Sequence, residues 1–502
     1  MKKSIWILWI FLAILSCSKE EDVIVAEKGK ITSFLFSEHD NFTALLSDVA
    51  CSVDGNVIQG RIPHYLKDKK LIPTVTFYGP GKIVLRGQEN SDTHQPTDFS
   101  KEVVYDIVNE TTGEIENSYV VHITSYTGLP VINVYTEDNT EIDSKDVYKE
   151  ATICCDFNNP DHPEYSFENA KVNIRGRGNS TWDLMPKKPY KLKFDKKTRL
   201  FGESEGKQWV LLANYADKSA LRNAIAFKLS ELSDLAWTPC SHFVELFIND
   251  KYRGNYQLTE QIKIAKDRVN LPEGGMILEI DHPTRIAADD VFFTTDKLLF
   301  VIKDPDVSVG SDDYNWAKDR LNSIEHILFS DSWLAERGGY KEYIDIKSFA
   351  DWYLVNEICK NKDSNFFLSC FLTIVPSEKL MMGPVWDFDL AMGNYDWSDY
   401  MQPEGLWTRN CDWFNRLFED PAFVSLVRER FAYFKSKMPE IYEFINKQAL
   451  YLGDSMVENN NLWGTLYNVT WPNYAVRGNY QNEVVYLKTF LEKRIAWMNT
   501  NL

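Results

Sequence analysis

The spacing of apolar residues changes character once along this chain, and that change limits the fold more than any single motif does. From Ile31 to Tyr126 apolar positions recur at every second residue: Phe34 and Phe36, Val75 and Phe77, Ile83 and Leu85, Val103, Tyr105 and Ile107, then Tyr119, Val121 and Ile123. Gly79-Pro80-Gly81 and Thr111-Thr112-Gly113 punctuate the runs as turns. Short alternating strands at this spacing predict a small Ig-like β-sandwich over 31–127. It holds no cluster of catalytic residue types, so it reads as a spacer or adhesion module. Gly128-Leu129-Pro130 ends it. Beyond Val131 helical and strand periods mix, which makes 130–502 an α+β domain. The roughly 485 residues that follow the N-terminal segment are too many for one hydrophobic core.

The N-terminal segment reads as an export signal. Lys2 and Lys3 precede a nearly unbroken apolar run from Ser4 to Leu15, closed by Ser16 and Cys17. The run is too short to span a bilayer. Ile14-Leu15-Ser16-Cys17 resembles a lipobox, with a bulkier residue than usual at Leu15, and this implies that 1–17 is a lipoprotein signal peptide and that Cys17 is lipidated. The alternative is an ordinary signal peptide with an incidental cysteine. Ser18-Lys19-Glu20-Glu21-Asp22 opens an acidic tether over 18–30. That run also resembles the tag that sends some Gram-negative lipoproteins to the cell surface. The expected location is therefore the outer membrane or cell surface of a Gram-negative bacterium, or a lipid-anchored position facing the periplasm.

A net charge of -18 argues against nucleic acid as a partner. Seven cysteines follow Cys17, at spacings that fit no zinc pattern. Most are expected to be small buried apolar residues, although an exported location permits one or two disulfides.

Against that acidic background, the segment from Lys171 to Arg199 carries ten basic and two acidic residues. It includes Arg175-Gly176-Arg177-Gly178-Asn179-Ser180-Thr181-Trp182 and Pro186-Lys187-Lys188-Pro189-Tyr190-Lys191-Leu192-Lys193-Phe194. Such a reversal suggests an anionic ligand. In an extended strand Tyr190, Leu192 and Phe194 face the core and Lys191 and Lys193 share the opposite face. Gly176 and Gly178 can offer backbone N–H groups to phosphate oxygens; the plainer account is a solvated basic strand. Downstream, Asp217 caps a helix through Leu221, Ile225, Leu229 and Leu232. His242–Ile248 and 252–258 then form a hairpin about Asn249-Asp250-Lys251. Glu260 follows, either orienting a strand lysine or standing as an exposed helix-start residue.

The strongest constellation lies further on. Phe349, Trp352, Val355 and Cys359 mark a helix that stops near Lys360, before the polar loop Asn361-Lys362-Asp363-Ser364-Asn365. A strand from Phe366 to Val375, a turn over Pro376 to Lys379 and a second strand through Val385 lead to Trp386-Asp387-Phe388-Asp389. Asp363 and Asp387 thus stand at the two open ends of one hairpin. Phosphoryl transfer needs one carboxylate to accept the hydroxyl proton and another, with an amide oxygen, to hold Mg2+ against nucleotide phosphates. Asp363 suits the first role; Asp387 and Asn365, assisted by Asp389, suit the second. Polar residues at strand ends also occur as plain turn formers, but that leaves Asp387-Phe388-Asp389 between apolar Trp386 and Leu390 unexplained.

Together these motifs resemble the CotH family of atypical, kinase-like phosphotransferases. The resemblance runs from about Val131 to Leu502, through RGRGNSTW, PKKPYKLKF, WVLLANYADKSALRN from Trp209, FVELFINDKYRGNYQLTEQI from Phe243 and GPVWDFDLAMGN from Gly383. It implies an atypical protein-kinase-like α+β domain after the sandwich, with ATP and Mg2+ as cofactors and hydroxyls of Ser or Thr on an exported or surface protein as acceptors. It also implies Asp363 as the catalytic acidic residue, Asp387 as metal ligand, Lys193 or Lys191 as the phosphate-contacting lysine and Glu260 as its partner. No HRD triplet precedes Asp363, Asn365 follows it by two residues rather than five, and Asp389 replaces the glycine of DFG. A rival reading is a non-catalytic surface module in which 15 Trp and 25 Tyr help bind glycan or a partner protein through a vestigial cleft.

Overall fold

The structure, a computed structural model, describes residues 28–502 apart from 46–47, 63–65, 67–68, 89–91, 126, 160, 396–401 and 474. Cys17, its signal segment and most of the acidic tether lie outside the described residues. The chain divides into two compact units, Met1–Thr124 and Ser125–Leu502.

In the first unit the strands are β1 (Lys30–Phe36), β2 (Val49–Asp54), β3 (Val57–Ile62), β4 (Lys70–Leu71), β5 (Thr74–Tyr78), β6 (Lys82–Leu85), β7 (Thr97–Asp98), β8 (Val103–Val108) and β9 (Ile115–Ser125). Seven of them join in one hydrogen-bonded sheet of order β5-β1-β2-β3-β9-β8-β6, and β4 pairs with β7. The period-two residues face inward as expected: Phe34, Phe36, Ile83, Leu85, Tyr105, Ile107, Val121 and Ile123 share one core.

The second unit begins with a closed barrel of seven strands. These are β10 (Val131–Thr136), β11 (Lys149–Asp156), β12 (Phe167–Gly176), β13 (Tyr190–Thr198), β14 (Gly206–Leu212), β15 (His242–Ile248) and β16 (Lys251–Glu260). Parallel pairing of β10 with β15 closes it. Its lumen is filled by alternate residues such as Ile153, Ile174, Leu192, Trp209, Val244 and Leu258. The hairpin of β15 and β16 turns on Asn249 and Asp250, both at positive φ (50° and 60°), the geometry that suits a two-residue turn.

A second sheet of order β18-β19-β17-β20-β21 follows, built from β17 (Met276–Ile280), β18 (Phe292–Thr294), β19 (Leu299–Asp304), β20 (Cys370–Ile374) and β21 (Met381–Met382). The helices are α1 (Ser180–Leu184), a short helix after β12 against the barrel, α2 (Arg222–Glu231), α3 (Asp312–Leu328), α4 (Ile346–Cys359), α5 (Asp412–Leu417), α6 (Pro421–Trp463) and α7 (Tyr480–Asn501). α4 is buried almost all round, and Trp352 stacks on Phe414 with ring centroids 5.9 Å apart. Lys360 ends α4 in the left-handed conformation at φ 46°, where the sequence places the stop. The long α6 starts with Asp420 accepting from Ala422 N, has Pro421 in its first turn and ends at Gly464, φ 65°. No helix among the described residues is long and apolar enough to cross a membrane. The seven cysteines after Cys17 are all free thiols, so none of the permitted disulfides is present.

Candidate active site

The expected hairpin between the two aspartates forms, in a shorter version. β20 pairs antiparallel with β21, Leu372 opposite Met382 and Thr373 opposite Met381. Residues 366–369 stay outside the strand because Phe366 and Ser369 adopt positive φ, 60° and 54°, and turn the chain. That turn lets the Ser369 hydroxyl donate to Asp387 Oδ2 at 3.1 Å. From the other side Asn361 Nδ2 donates to the Asp387 carbonyl at 3.2 Å. Both ends of the hairpin are thereby brought to Asp387, which itself holds φ 67°.

Electrostatics tie the carboxylates together. Burial raises the Asp363 carboxyl to about 6, with the charge of Asp387 adding to the rise and Lys362, whose Nζ lies 3.6 Å from Asp363 Oδ1, opposing it. Asp389 is held well above the ordinary carboxylate range by burial, then by Asp387 and Asp363. A carboxylate poised near neutrality can accept a proton from a hydroxyl, the requirement of general-base work.

Opposite these acids lies a concentration of cations. The register pairs Arg175 directly with Lys191 across β12 and β13, two like charges on the outer face of the barrel. Burial pushes the Lys191 ammonium down to about 7, and Arg175, Arg177, Lys263 and Lys303 push in the same direction. Burial lowers Arg177 too, while Asp387, Glu279 and Asp389 hold it up. Arg177 therefore links the cationic cluster to the acidic one; its guanidinium lies 5.7 Å from the centre of the Trp386 ring. Lys193 shares the face of Lys191 but is exposed, with its ammonium 5.6 Å from the Tyr148 ring. Of the two candidate lysines, Lys191 is the one within the cluster.

Two assignments need correction. Glu260 does not partner a strand lysine. Leu192, Trp209 and Glu260 are in register across β13, β14 and β16, as are Lys191, Val210 and Thr259. Glu260 thus faces the barrel lumen and Lys191 the outside, on opposite sides of one sheet. The Glu260 carboxylate instead meets Arg268 at 3.5 Å, the Ser204 hydroxyl and the Cys240 amide at 3.1 Å. The Gly176 loop is not a phosphate cradle at its first two amides: Gly176 N donates to Ser144 O and Arg177 N to Pro189 O. Gly176 is required for packing, since a Cβ there would stand 2.2 Å from the Trp182 ring. Gly178 supplies a left-handed φ of 83° that turns the chain toward α1.

Two residues of the site escaped sequence reasoning. Glu279 of β17 is raised to about 7, mainly by burial, with Asp281 and Asp387 adding and Lys303 opposing. Lys303 of β19 reaches it at 3.1 Å. The available signal was a charged residue inside each of two apolar strands, Met276–Ile280 and Leu299–Asp304.

The site suits a divalent cation. Among the described residues Asn365 Oδ1 is buried without a hydrogen-bond partner, and a bare amide carbonyl is a hard oxygen ligand of the kind Mg2+ takes. Asp387, Asp389 and Asn365 would hold such an ion, which would neutralise charge on phosphate oxygens. The segment carrying Asp387 is clamped from α2. Asn223 Oδ1 accepts from Phe388 N at 2.8 Å, and Arg222 donates to the carbonyls of Ala391 (2.9 Å) and Met392 (3.3 Å). Asp217, rather than simply capping α2, accepts from Arg222 N and from its guanidinium in a fully buried ion pair.

A strand barrel joined to a helical half, with paired aspartates beside clustered cations, defines a kinase-like α+β domain. The family model described as CotH kinase protein matches residues 174–498, well over half of the chain, and the protein belongs to the CotH family. The match starts inside β12, later than the resemblance from Val131 suggested. Nucleotide and divalent-metal use go with this kinase-like family in general. No curated protein matches the chain.

Proposed function

We propose that the second unit is a phosphotransferase that moves the γ-phosphoryl group of Mg-ATP to a Ser or Thr hydroxyl of an exported or surface protein. The observation that carries this reading is the meeting of two clusters, Asp363, Asp387, Asp389 and Glu279 on one side and Arg175, Arg177, Lys191 and Lys303 on the other, bridged by Arg177. In the proposed reaction the acceptor oxygen bonds to the γ-phosphorus, the bond to the bridging oxygen breaks and ADP leaves. Asp363 takes the hydroxyl proton. The cations bind and orient the phosphates. Purified protein with labelled Mg-ATP is expected to transfer phosphate to itself or to surface proteins of the source cell. Asp387→Ala and Asp363→Asn should each lose transfer with the fold intact. Absence of both transfer and nucleotide binding in a well-folded wild type would overturn the reading.

We place the protein outside the cytoplasm, tethered through lipid on Cys17. Incorporation of labelled fatty acid, lost in Cys17→Ser, tests the tether, and protease access on intact cells tests surface exposure. A glycan- or protein-binding module would draw on exposed aromatics such as Phe42, Tyr78 and Tyr467, while Trp209, Trp352, Trp413, Tyr256, Tyr340 and Tyr353 are fully buried.

A further inference from the structure

On the far side of the β13–β16 sheet from Lys191, three residues from two separate segments bring metal-binding atoms together. Glu203 lies in the loop before β14, Cys240 just before β15 and His242 at its first position. A carboxylate oxygen, the thiol sulfur and an imidazole nitrogen lie within 4.8 Å of one another. His242 Nε2 is 2.7 Å from Glu203 Oε1, and His242 is positioned by an edge contact with Phe201, ring centroids 5.2 Å apart. Among the described residues the Cys240 sulfur makes no hydrogen bond, although the Cys240 amide donates to Glu260 Oε2. All three residues line a cavity of about 370 Å³, bounded further by Phe227 and Lys228 of α2 and Phe444 of α6.

We propose that Glu203, Cys240 and His242 form a zinc site, separate from the kinase-like centre. Three ligands of mixed sulfur, nitrogen and oxygen type are what Zn2+ accepts when a fourth position is left to solvent or an incoming ligand. At usual zinc distances, tetrahedral ligand atoms stand about 3.3–3.7 Å apart. Side-chain adjustments of roughly 1 Å therefore bring this set from its present spacing onto one ion. Thiolate and carboxylate together neutralise the ion, and the thiol proton passes to solvent as the sulfur binds. Glu260 accepts from the Ser204 hydroxyl and the Cys240 amide, and so fixes the backbone that carries the thiol. The ion would tie the loop before β14 to the start of β15, closing the barrel mouth on the cavity side.

The test uses the whole chain, stripped with chelator and dialysed against Zn2+ or Co2+. Wild type is expected to retain one Zn2+ per chain at this site, and the Co2+ form to show thiolate-to-metal charge-transfer absorption. Cys240→Ser should remove that absorption and weaken zinc binding by more than the 10- to 100-fold typical of losing an outer partner. Asp387→Ala should keep both signals, which separates this site from any metal bound at the kinase-like centre. Glu203→Gln, at a side chain 36 % exposed, is a second variant that tolerates change and should also weaken binding. Retention of zinc by Cys240→Ser at wild-type affinity would overturn the proposal. So would a Co2+ spectrum without charge transfer, or failure of the wild type to hold zinc at micromolar concentration.

Discussion

Replacing Lys191 by Met should make the protein more stable and a poorer nucleotide binder at once. Lys191 stands directly opposite Arg175, and Arg177, Lys263 and Lys303 add to its surroundings, so burial and like charges lower its ammonium from 10.5 to about 7. A shift of this size corresponds to an upper bound of about 5 kcal/mol at about 1.4 kcal/mol per unit. Partial exposure and solvent relaxation reduce that to roughly 1–2 kcal/mol. Met retains the apolar stem and removes the charge. At the melting temperature of a unit this size the gain corresponds to a rise of about 1–3 °C. Because the folded value lies below the unfolded one, native protein binds fewer protons between about pH 7 and 10.5. Wild-type stability therefore rises with pH across that window, and Lys191→Met should flatten the rise. The lost charged contact to phosphate should weaken nucleotide binding about 10- to 100-fold. Thermal melts at pH 6 and 9 with calorimetric titration of nucleotide read both effects. A variant that melts lower than wild type at pH 6, or binds nucleotide as tightly, refutes the assignment of Lys191 as a cation held at a cost for binding.

Further outcomes follow from the same geometry. Raising the pH through about 7 takes charge from Lys191 and adds it to Glu279, so nucleotide affinity should fall between pH 6 and 8.5, read by titration at each pH. Asp387 sits at φ 67°, where glycine is at ease; Asp387→Gly should therefore melt higher than Asp387→Ala by the equivalent of about 1 kcal/mol, both lacking transfer activity. Glu357 and Arg494 form a fully buried pair that also binds the carbonyls of Pro403 and Gly405, and Glu357→Gln should cost about 3–5 kcal/mol in urea unfolding. Ser369→Ala should lower metal affinity or turnover several-fold with little change in melting, since the hydroxyl orients the Asp387 carboxylate from a half-buried turn.

What could be read from the chain was local. The helix ending at Lys360, the hairpin after it and the paired aspartates at its open ends depend on residues within some thirty positions of one another. Glu279 and Lys303 were not legible because each gains its meaning only when β17 pairs with β19 and carries it toward Asp387. The reading of Glu260 failed on parity: its side depends on β14 lying between β13 and β16, a fact of topology rather than of spacing. Gly176 invited a phosphate-loop reading because a glycine needed for close packing against Trp182 looks the same in sequence as one needed for an anion. Glu203, Cys240 and His242 were passed over because attention to cysteine spacing alone misses a mixed set assembled from two segments.

The clamp from α2 explains why two distant motifs occur together. Lys360, Phe366, Ser369, Asp387 and Met392 all hold positive φ within the segment that carries the aspartates. Each such residue costs about 1 kcal/mol or more, so the arrangement needs support from outside itself. The support comes from the end of the WVLLANYADKSALRN run: Arg222 and Asn223 hold the backbone on both sides of Asp389, and Asp217 holds Arg222. Asn394 closes the loop by donating to the carbonyls of Asp389 (2.6 Å) and Ala216 (2.9 Å). A buried guanidinium with no paired acid would be expensive, and a strained aspartate with no clamp would relax. Each motif therefore supplies what the other lacks, and the geometry at Asp387 is a property of the two together.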